Sequence, residues 1–274
     1  MQTQIMKHSP DRPFHRDHGF TLIELLVVIS IIGVLASMLL PVVSRVKVKG
    51  QVVKARTEIT DLVGAIKSYQ SSYSVLPSPR DARAALGDAG ATSPDFTFGT
   101  AYGGGWWQNK KGQQIQVQTL GVNFKSQANN SQIVAILEDL THFRNGIPTP
   151  NVGHSLNSRK TRFLDARDVN DIRSPGVGPD GVYRDPWGNP YIISLDLNYD
   201  DSCRDGFYRL DAVSLDRTKN GTQGHNGLFK SKPQANSFEY RTQVMVWSLG
   251  PDGLAHAGTS AKLGVNKDNV LSWQ

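Results

Sequence analysis

The sequence predicts an α+β chain. One long N-terminal helix, membrane-spanning in its first half and amphipathic in its second, packs on a C-terminal antiparallel β-sheet domain. Three observations predict it. Residues 20–43 form an apolar run holding a single charge, Glu24. Over residues 44–76 the apolar positions become one-sided. In the last third, apolar β-rich runs at 191–197 and 243–249 stand between segments dense in Gly, Pro, Asn and Asp.

The run 20–43 reaches the roughly 20 apolar residues that a bilayer-spanning helix needs. A charge inside such a span costs at least ~2.5–3.5 kcal/mol at the bilayer centre and less near its ends, so it usually signals function. The simplest reason to keep Glu24 is a partner that neutralises it. A secretory signal, whose apolar core of roughly 7–15 residues precedes its cleavage site, fits less well, because the core here is longer. A plain signal anchor leaves Glu24 unexplained. Ahead of the run stand Lys7, Arg12 and Arg16 against Asp11 and Asp17, and a positively charged stretch preceding an apolar span is expected to stay in the cytoplasm. Arg45, Lys47, Lys49, Lys54 and Arg56 follow the run. Charge bias alone therefore leaves the orientation ambiguous, and these bases read as a solvated helix face.

Beyond Pro41, the positions Val52, Arg56, Ile59, Leu62, Val63, Ile66, Tyr69 and Tyr73 follow the three-and-four spacing of an amphipathic helix. Gly50 and Gly64 weaken it by about 1 kcal/mol each without ending it; Pro77 and Pro79 end it. At 1.5 Å per residue, a helix over 20–75 extends on the order of 80 Å. Residues 77–182 read as a variable region with short helices at 81–86 and 131–144, the second with Ser131 as N-cap. Between them stands Gly103-Gly104-Gly105-Trp106-Trp107, whose tryptophans fit burial against a loop-rich core better than a carbohydrate- or partner-binding surface. Residues 183–274 form the sheet region. Asp185-Pro186-Trp187-Gly188-Asn189-Pro190-Tyr191 is a turn leading into the strand 191–197. The strand 243–249 closes on the turn Gly250-Pro251-Asp252-Gly253, and the sequence runs on to Asp268 and Trp273.

The net charge is +6. The basic residues beyond position 60 are scattered and form no stripe interleaved with aromatics, so no nucleic-acid partner is expected. Cys203 is the single cysteine, which excludes an intramolecular disulfide and reads as a small buried residue. The acidic stretch Asp196-Leu197-Asn198-Tyr199-Asp200-Asp201 has the alternation of a calcium loop. It lacks the glycine at the sixth position and the glutamate at the twelfth, where Asp201 and Phe207 stand, and reads as the turn of a hairpin. No nucleophile elbow, zinc-protease helix or phosphate-binding glycine loop is present. His142, His154, His225 and His256 form no recognisable constellation, and an enzyme is not expected.

Gly19-Phe20-Thr21-Leu22-Ile23-Glu24, followed by the apolar run, resembles the class III signal of type IV pilins and type II secretion pseudopilins. The resemblance implies a 1–19 leader removed by a prepilin peptidase between Gly19 and Phe20, with N-methylation of Phe20. It further implies that Glu24 pairs with the N-terminal amine of a neighbouring subunit and sets the assembly register, and that the helix loosens at Gly33 and Pro41. The segment 185–191, then Trp247-Ser248-Leu249-Gly250-Pro251-Asp252-Gly253, then Asp268 and Trp273, is similar in order to the C-terminal half of the major pseudopilin of type II secretion. That family lacks a disulfide and binds calcium in this region. The matching ligands here are Ser248 and Leu249 through backbone oxygens, Asp252 and Asp268. The intervening loop 253–267 departs from the pattern: it is long and carries Lys262 and Lys267 without an acidic residue.

The function these resemblances imply is that of a structural subunit of a type II secretion pseudopilus. It would polymerise through its N-terminal helix to drive protein export across the outer membrane. The expected partners are identical and related pseudopilins, the prepilin peptidase and N-methyltransferase, the inner-membrane assembly platform and the lipid bilayer. The expected location is the bacterial inner membrane, single-pass with a periplasmic C-terminal domain, and then a periplasmic filament. Two alternatives stay open. One is a type IV pilus subunit for adhesion, motility or DNA uptake; the other is a membrane-tethered binding domain on a pilin-type stem.

Overall fold

The computed structural model describes residues 20–86, 95–99, 106–108, 114–116, 127–231 and 233–274. The leader 1–19 and the glycine run 103–105 lie outside the described residues, and of Trp106 and Trp107 only the backbone strand is described. The chain divides into two compact units, Met1–Lys47 and Val48–Gln274.

One helix, α1 (Leu22–Tyr73), supplies the described part of the first unit and the first element of the second. In the first unit the stretch Leu22–Leu39 is long and apolar enough to cross a membrane, and none of it is buried. Its leucines, isoleucines and valines all face outward, so none of the described residues of that unit removes this surface from water. The helix runs through Gly33 and Pro41 unbroken, although Pro41 has no N–H to offer the turn before it. Ser30 and Ser37 donate their hydroxyls back to Leu26 O (2.5 Å) and Val34 O (2.7 Å), which satisfies both polar groups within the helix.

In the second unit α1 buries Ala55, Ile59, Leu62, Ile66 and Tyr69, a stripe at alternating steps of four and three. Arg56, which shared the predicted spacing, is exposed. The helix ends at Tyr73, before either proline. Ser74 takes a left-handed φ of 58° while its N–H still reaches Gln70 O at 2.7 Å, the geometry of a left-handed C-terminal cap.

The elements that follow are α2 (Arg80–Leu86), β1 (Phe96–Phe98), β2 (Trp106–Gln108), β3 (Gln114–Gln116), β4 (Gln127–Ala128) and α3 (Ser131–Leu137). Then come β5 (Gly176–Val177), β6 (Tyr183–Arg184), β7 (Ile192–Leu195), α4 (Asp211–Ser214), β8 (Phe229–Lys230), β9 (Phe238–Glu239), β10 (Val244–Ser248) and β11 (Val270–Leu271). The main sheet has the order β11-β10-β7-β1-β4, antiparallel except for the parallel pair of β1 and β4. Residues 77–182 thus supply two strands of this sheet and the buried helix α3.

Alternation along the strands sorts the core. Ile193, Leu195, Val244, Val246 and Val270 join the cluster that holds the α1 stripe, Phe96, Phe98, Ile133 and Leu137. Ile192, Met245, Trp247 and Leu271 join a second cluster with Phe207, Tyr208, Val213, Phe238 and Trp273. The sheet is therefore covered on both faces, by helix on one and by a loop-rich layer on the other. In that layer the buried Asp205 accepts from Ser194 Oγ (2.6 Å), Trp247 Nε1 (3.1 Å), Phe207 N (2.9 Å) and Tyr208 N (2.8 Å), as burial of a carboxylate requires.

Two local expectations are corrected. α3 stops at Leu137 and not near 144, because Asp139 adopts a left-handed φ of 58°. Its N-cap is Asn130, and Ser131 is the first helical residue. Asn130 makes no side-chain cap bond; its amide donates to Tyr183 O (2.9 Å) and Tyr191 O (2.8 Å) and accepts from Tyr183 N (3.0 Å). The acidic segment 196–201 is a turn but not the turn of a hairpin. Asp196 accepts the Asp200 and Asp201 amides at 3.2 and 3.0 Å, and the chain then bridges from Cys203 to Tyr240 instead of returning along β7.

Candidate functional site

Two places in the chain hold the residues singled out by sequence. At the start of α1, Thr21 donates through both its N–H (2.8 Å) and its Oγ1 (2.6 Å) to Glu24 Oε2, while Glu24 N donates to Thr21 Oγ1 at 3.3 Å. This is a reciprocal capping box, in which the third helical residue reaches back to the cap and two otherwise orphaned N–H groups are satisfied. Glu24 therefore has donors inside its own chain as well as any it meets in a partner. The signal was available in the Thr-x-x-Glu spacing ahead of an apolar run. Phe20 precedes the box and is 80% exposed; with Ile23, Glu24, Val27 and Val28 it lines a shallow apolar surface with one carboxylate at its edge. Gly19 lies outside the described residues.

The second place is the C-terminal loop. Ser248 ends β10 and pairs with Val270 of β11; Leu249 is fully buried. The turn after them is held by Gly250, which has a φ of 67° and stands so close to the Asp268 carbonyl that a Cβ there would collide with it. Asp252 accepts Leu254 N at 2.8 Å. Asp268 closes a 3₁₀ turn, Gly264–Asp268. Burial and then the nearby Asp252 carboxylate push the Asp268 carboxyl up, against the backbone amides of Asp268 and Asp252 that hold it down. Its Oδ1 is buried without a hydrogen-bond partner. The structure thus brings Ser248, Leu249, Asp252 and Asp268 into one loop junction, and an orphaned carboxylate oxygen beside a second carboxylate is the kind of donor set that a hard cation takes. Among the described residues no group of three or more His, Cys, Asp or Glu side chains is placed around a common point.

Sequence reasoning missed the residue that organises this junction. Asp185 is fully buried and accepts Trp187 N (2.9 Å), Asn189 N (2.8 Å) and Ser248 Oγ (2.5 Å). Burial pushes its carboxyl up to about 7 against those hydrogen bonds. Ser248 Oγ in turn accepts Gly250 N at 3.0 Å, and Asn189 Nδ2 donates to Gly250 O at 3.4 Å. The 185–190 turn and the 248–253 turn are therefore one hydrogen-bonded unit. The Ser248 hydroxyl is committed to Asp185.

The remaining candidates are structural. Cys203 is buried, and burial pushes its thiol up. His225 lies between Ser260 Oγ (3.1 Å) and Asp216 Oδ2 (3.9 Å). The second distance is beyond hydrogen-bond reach, so the three do not form a proton relay.

Comparison with known proteins agrees with the geometry of the first place. The model of the prokaryotic N-terminal methylation motif matches residues 14–40. The chain is type IV pilin-like. It is 37% identical over 79 residues to the type II secretion system core protein G of Klebsiella pneumoniae, covering 29% of this chain and 56% of that protein. The core protein G of Pectobacterium carotovorum subsp. carotovorum is 39% identical over 72 residues, 26% of this chain and 46% of that protein. That of Dickeya chrysanthemi is 36% identical over 80 residues, 29% and 52%. The pilin-like chain spans about half the length of the curated relatives it matches. No solved structure matches it. An apolar N-terminal helix with this motif is consistent with an anchor in the inner membrane.

Proposed function

We propose that this chain is a pseudopilin, a structural subunit of a type II secretion pseudopilus. The observation that carries the reading is the unburied apolar stretch Leu22–Leu39, opened by the Thr21–Glu24 box and continuous in one helix with the core stripe of the second unit. A surface of that size needs lipid or like helices around it, which supports storage in the inner membrane followed by lateral packing in a filament. In this reading a prepilin peptidase cuts between Gly19 and Phe20 and Phe20 is N-methylated. Glu24 then exchanges its Thr21 donors for the amine of a neighbouring subunit. Buried ion pairs are better attested as devices of specificity than of net stability, which suits a role in register. Filament growth on the assembly platform would push folded proteins across the outer membrane.

Calcium belongs to the same proposal. The carboxylates of Asp252 and Asp268 and the backbone oxygens of Ser248 and Leu249 would hold it. The ion would supply charge neutralisation for the two carboxylates and so fix the C-terminal loop on β10 and β11.

A deletion strain tests the function. Loss of extracellular proteins, with their accumulation in the periplasm and unchanged surface pili, is the expected result. Loss of pili, twitching or DNA uptake with normal secretion would replace the reading with a type IV pilus subunit.

A further inference from the structure

Asn189 is 2% exposed, yet the oxygen of its side chain has no hydrogen-bond partner. Which end of the amide is the oxygen is fixed by its surroundings. The nitrogen faces two acceptors, Gly250 O at 3.4 Å and the Asp185 carboxylate, and turning the amide over would set oxygen against oxygen at both. The unpaired oxygen therefore belongs to the fold and not to the choice of rotamer. The same Gly250 is pressed against the Asp268 carbonyl, and Asp268 Oδ1 is a second buried oxygen without a donor. Two residues distant in sequence, each with an unpaired side-chain oxygen, thus both touch Gly250. Buried acceptors without donors are destabilising and rare. A third unpaired oxygen, Asn269 Oδ1, belongs to an amide already turned to Tyr208 in the second core cluster.

We propose that Asn189 Oδ1 is a further ligand of the cation held by Asp252 and Asp268, so that the ion joins the 185–190 turn to the C-terminal loop. This rests on the calcium reading given above. Calcium takes about six to eight oxygens and accepts neutral amide oxygens readily. Two carboxylates and two main-chain oxygens leave that shell short, and among the described residues no third His, Cys, Asp or Glu side chain groups with the two carboxylates around a common point. A neutral ligand also keeps the junction from carrying excess negative charge beside the buried Asp185. With the ion in place, the turn and the loop close as a clasp on β10.

The test uses the full chain in detergent, with tryptophan-sensitised terbium luminescence, displacement by calcium and thermal unfolding with and without calcium. Asn189→Ala is expected to weaken calcium binding by at least ~10-fold, the scale typical of losing a metal-site partner, while Asp268→Asn weakens it further. Asn189→Asp keeps an oxygen ligand but loses the amide donors. It should be less stable than the parent without calcium and bind calcium more tightly, a crossing that a purely structural asparagine would not produce. If the parent binds and Asn189→Ala binds equally well, the clasp is wrong while the calcium site stands. If the parent binds neither ion, both fall.

Discussion

Tyr191 donates its hydroxyl to the Glu58 carboxylate at 2.5 Å, linking the residue before β7 to the domain-packed part of α1. Lys54 stands 3.7 Å from the other oxygen of the same carboxylate, and Gln51 and Gln70 make two more polar links from the helix, to Pro186 O and Gln243. Burial pushes the Glu58 carboxyl up, and the Tyr191 hydrogen bond opposes that most. A hydrogen bond to a charged group is worth about 1.5–3 kcal/mol. Tyr191→Phe should therefore destabilise the domain by about that amount, read as a lower urea midpoint at unchanged slope. An unchanged midpoint would mean that solvent replaces the hydroxyl without loss.

Asp196 gives a pH dependence. Burial first, and then the neighbouring Asp200, pushes its carboxyl from 3.8 up to about 6. A raised acid binds its proton more tightly in the folded chain than in the unfolded one. Its contribution is thus fully present below the unfolded value and is lost as pH rises through about 6. Stability should fall across roughly pH 4 to 6, and Asp196→Asn should flatten that part of the profile. A parent and variant with parallel profiles in urea unfolding would remove Asp196 as the cause.

The large features were legible because they rest on period and composition. The apolar run, the α1 stripe and the two principal strands can each be counted off the sequence, and β7 and β10 fall within the predicted runs. What could not be read was set by contacts distant in sequence. β1 is a three-residue strand that gains its place from Ile193, Ser194 and Leu195. Asn130 looked like the residue before a cap because its amide bonds, to Tyr183 and Tyr191, span 53 and 61 positions. Of the C-terminal site, Asp252 and Asp268 were visible as acids near turns. The role of Asp185 was not, since an aspartate opening a Pro- and Gly-rich turn explains itself locally and only the fold brings Ser248 to it. The Thr21–Glu24 box was legible and was overshadowed by the charge at Glu24.

That box makes the charge and capping roles separable. Glu24→Gln keeps an acceptor for the Thr21 N–H and removes the charge, whereas Thr21→Ala removes the cap at a cost of about 1 kcal/mol and keeps the charge. Both variants, and Glu24→Ala, should insert in the membrane and be processed normally. If pairing with a neighbour's amine sets the register, Glu24→Gln and Glu24→Ala should both fail to form filaments, and Thr21→Ala should form them in reduced amount. Membrane fractionation, leader cleavage on immunoblots and sheared-filament yield read the three steps separately. Normal filaments from Glu24→Gln would leave the carboxylate with no role beyond the cap.

Gly250 is the mechanical centre of the C-terminal junction, and its substitution tests whether the two turns act together. Its φ of 67° is left-handed, and a methyl group there would meet the Asp268 carbonyl. Holding a non-glycine residue in such a conformation costs on the order of 1–3 kcal/mol, and relief by moving the 268 segment would pull β11 from β10 at the Ser248–Val270 pair. Gly250→Ala should therefore lower the unfolding midpoint and also weaken whatever cation response the parent shows. Gly253→Ala, at the other end of the same turn with a φ of 68°, shares the backbone strain. Gly250 accepts from Asn189 through its carbonyl and stands against the Asp268 carbonyl through its Cα. Comparison of the two separates general turn strain from loss of the junction. Equal destabilisation with an intact cation response in both would show that the 185–190 turn and the C-terminal loop are independent.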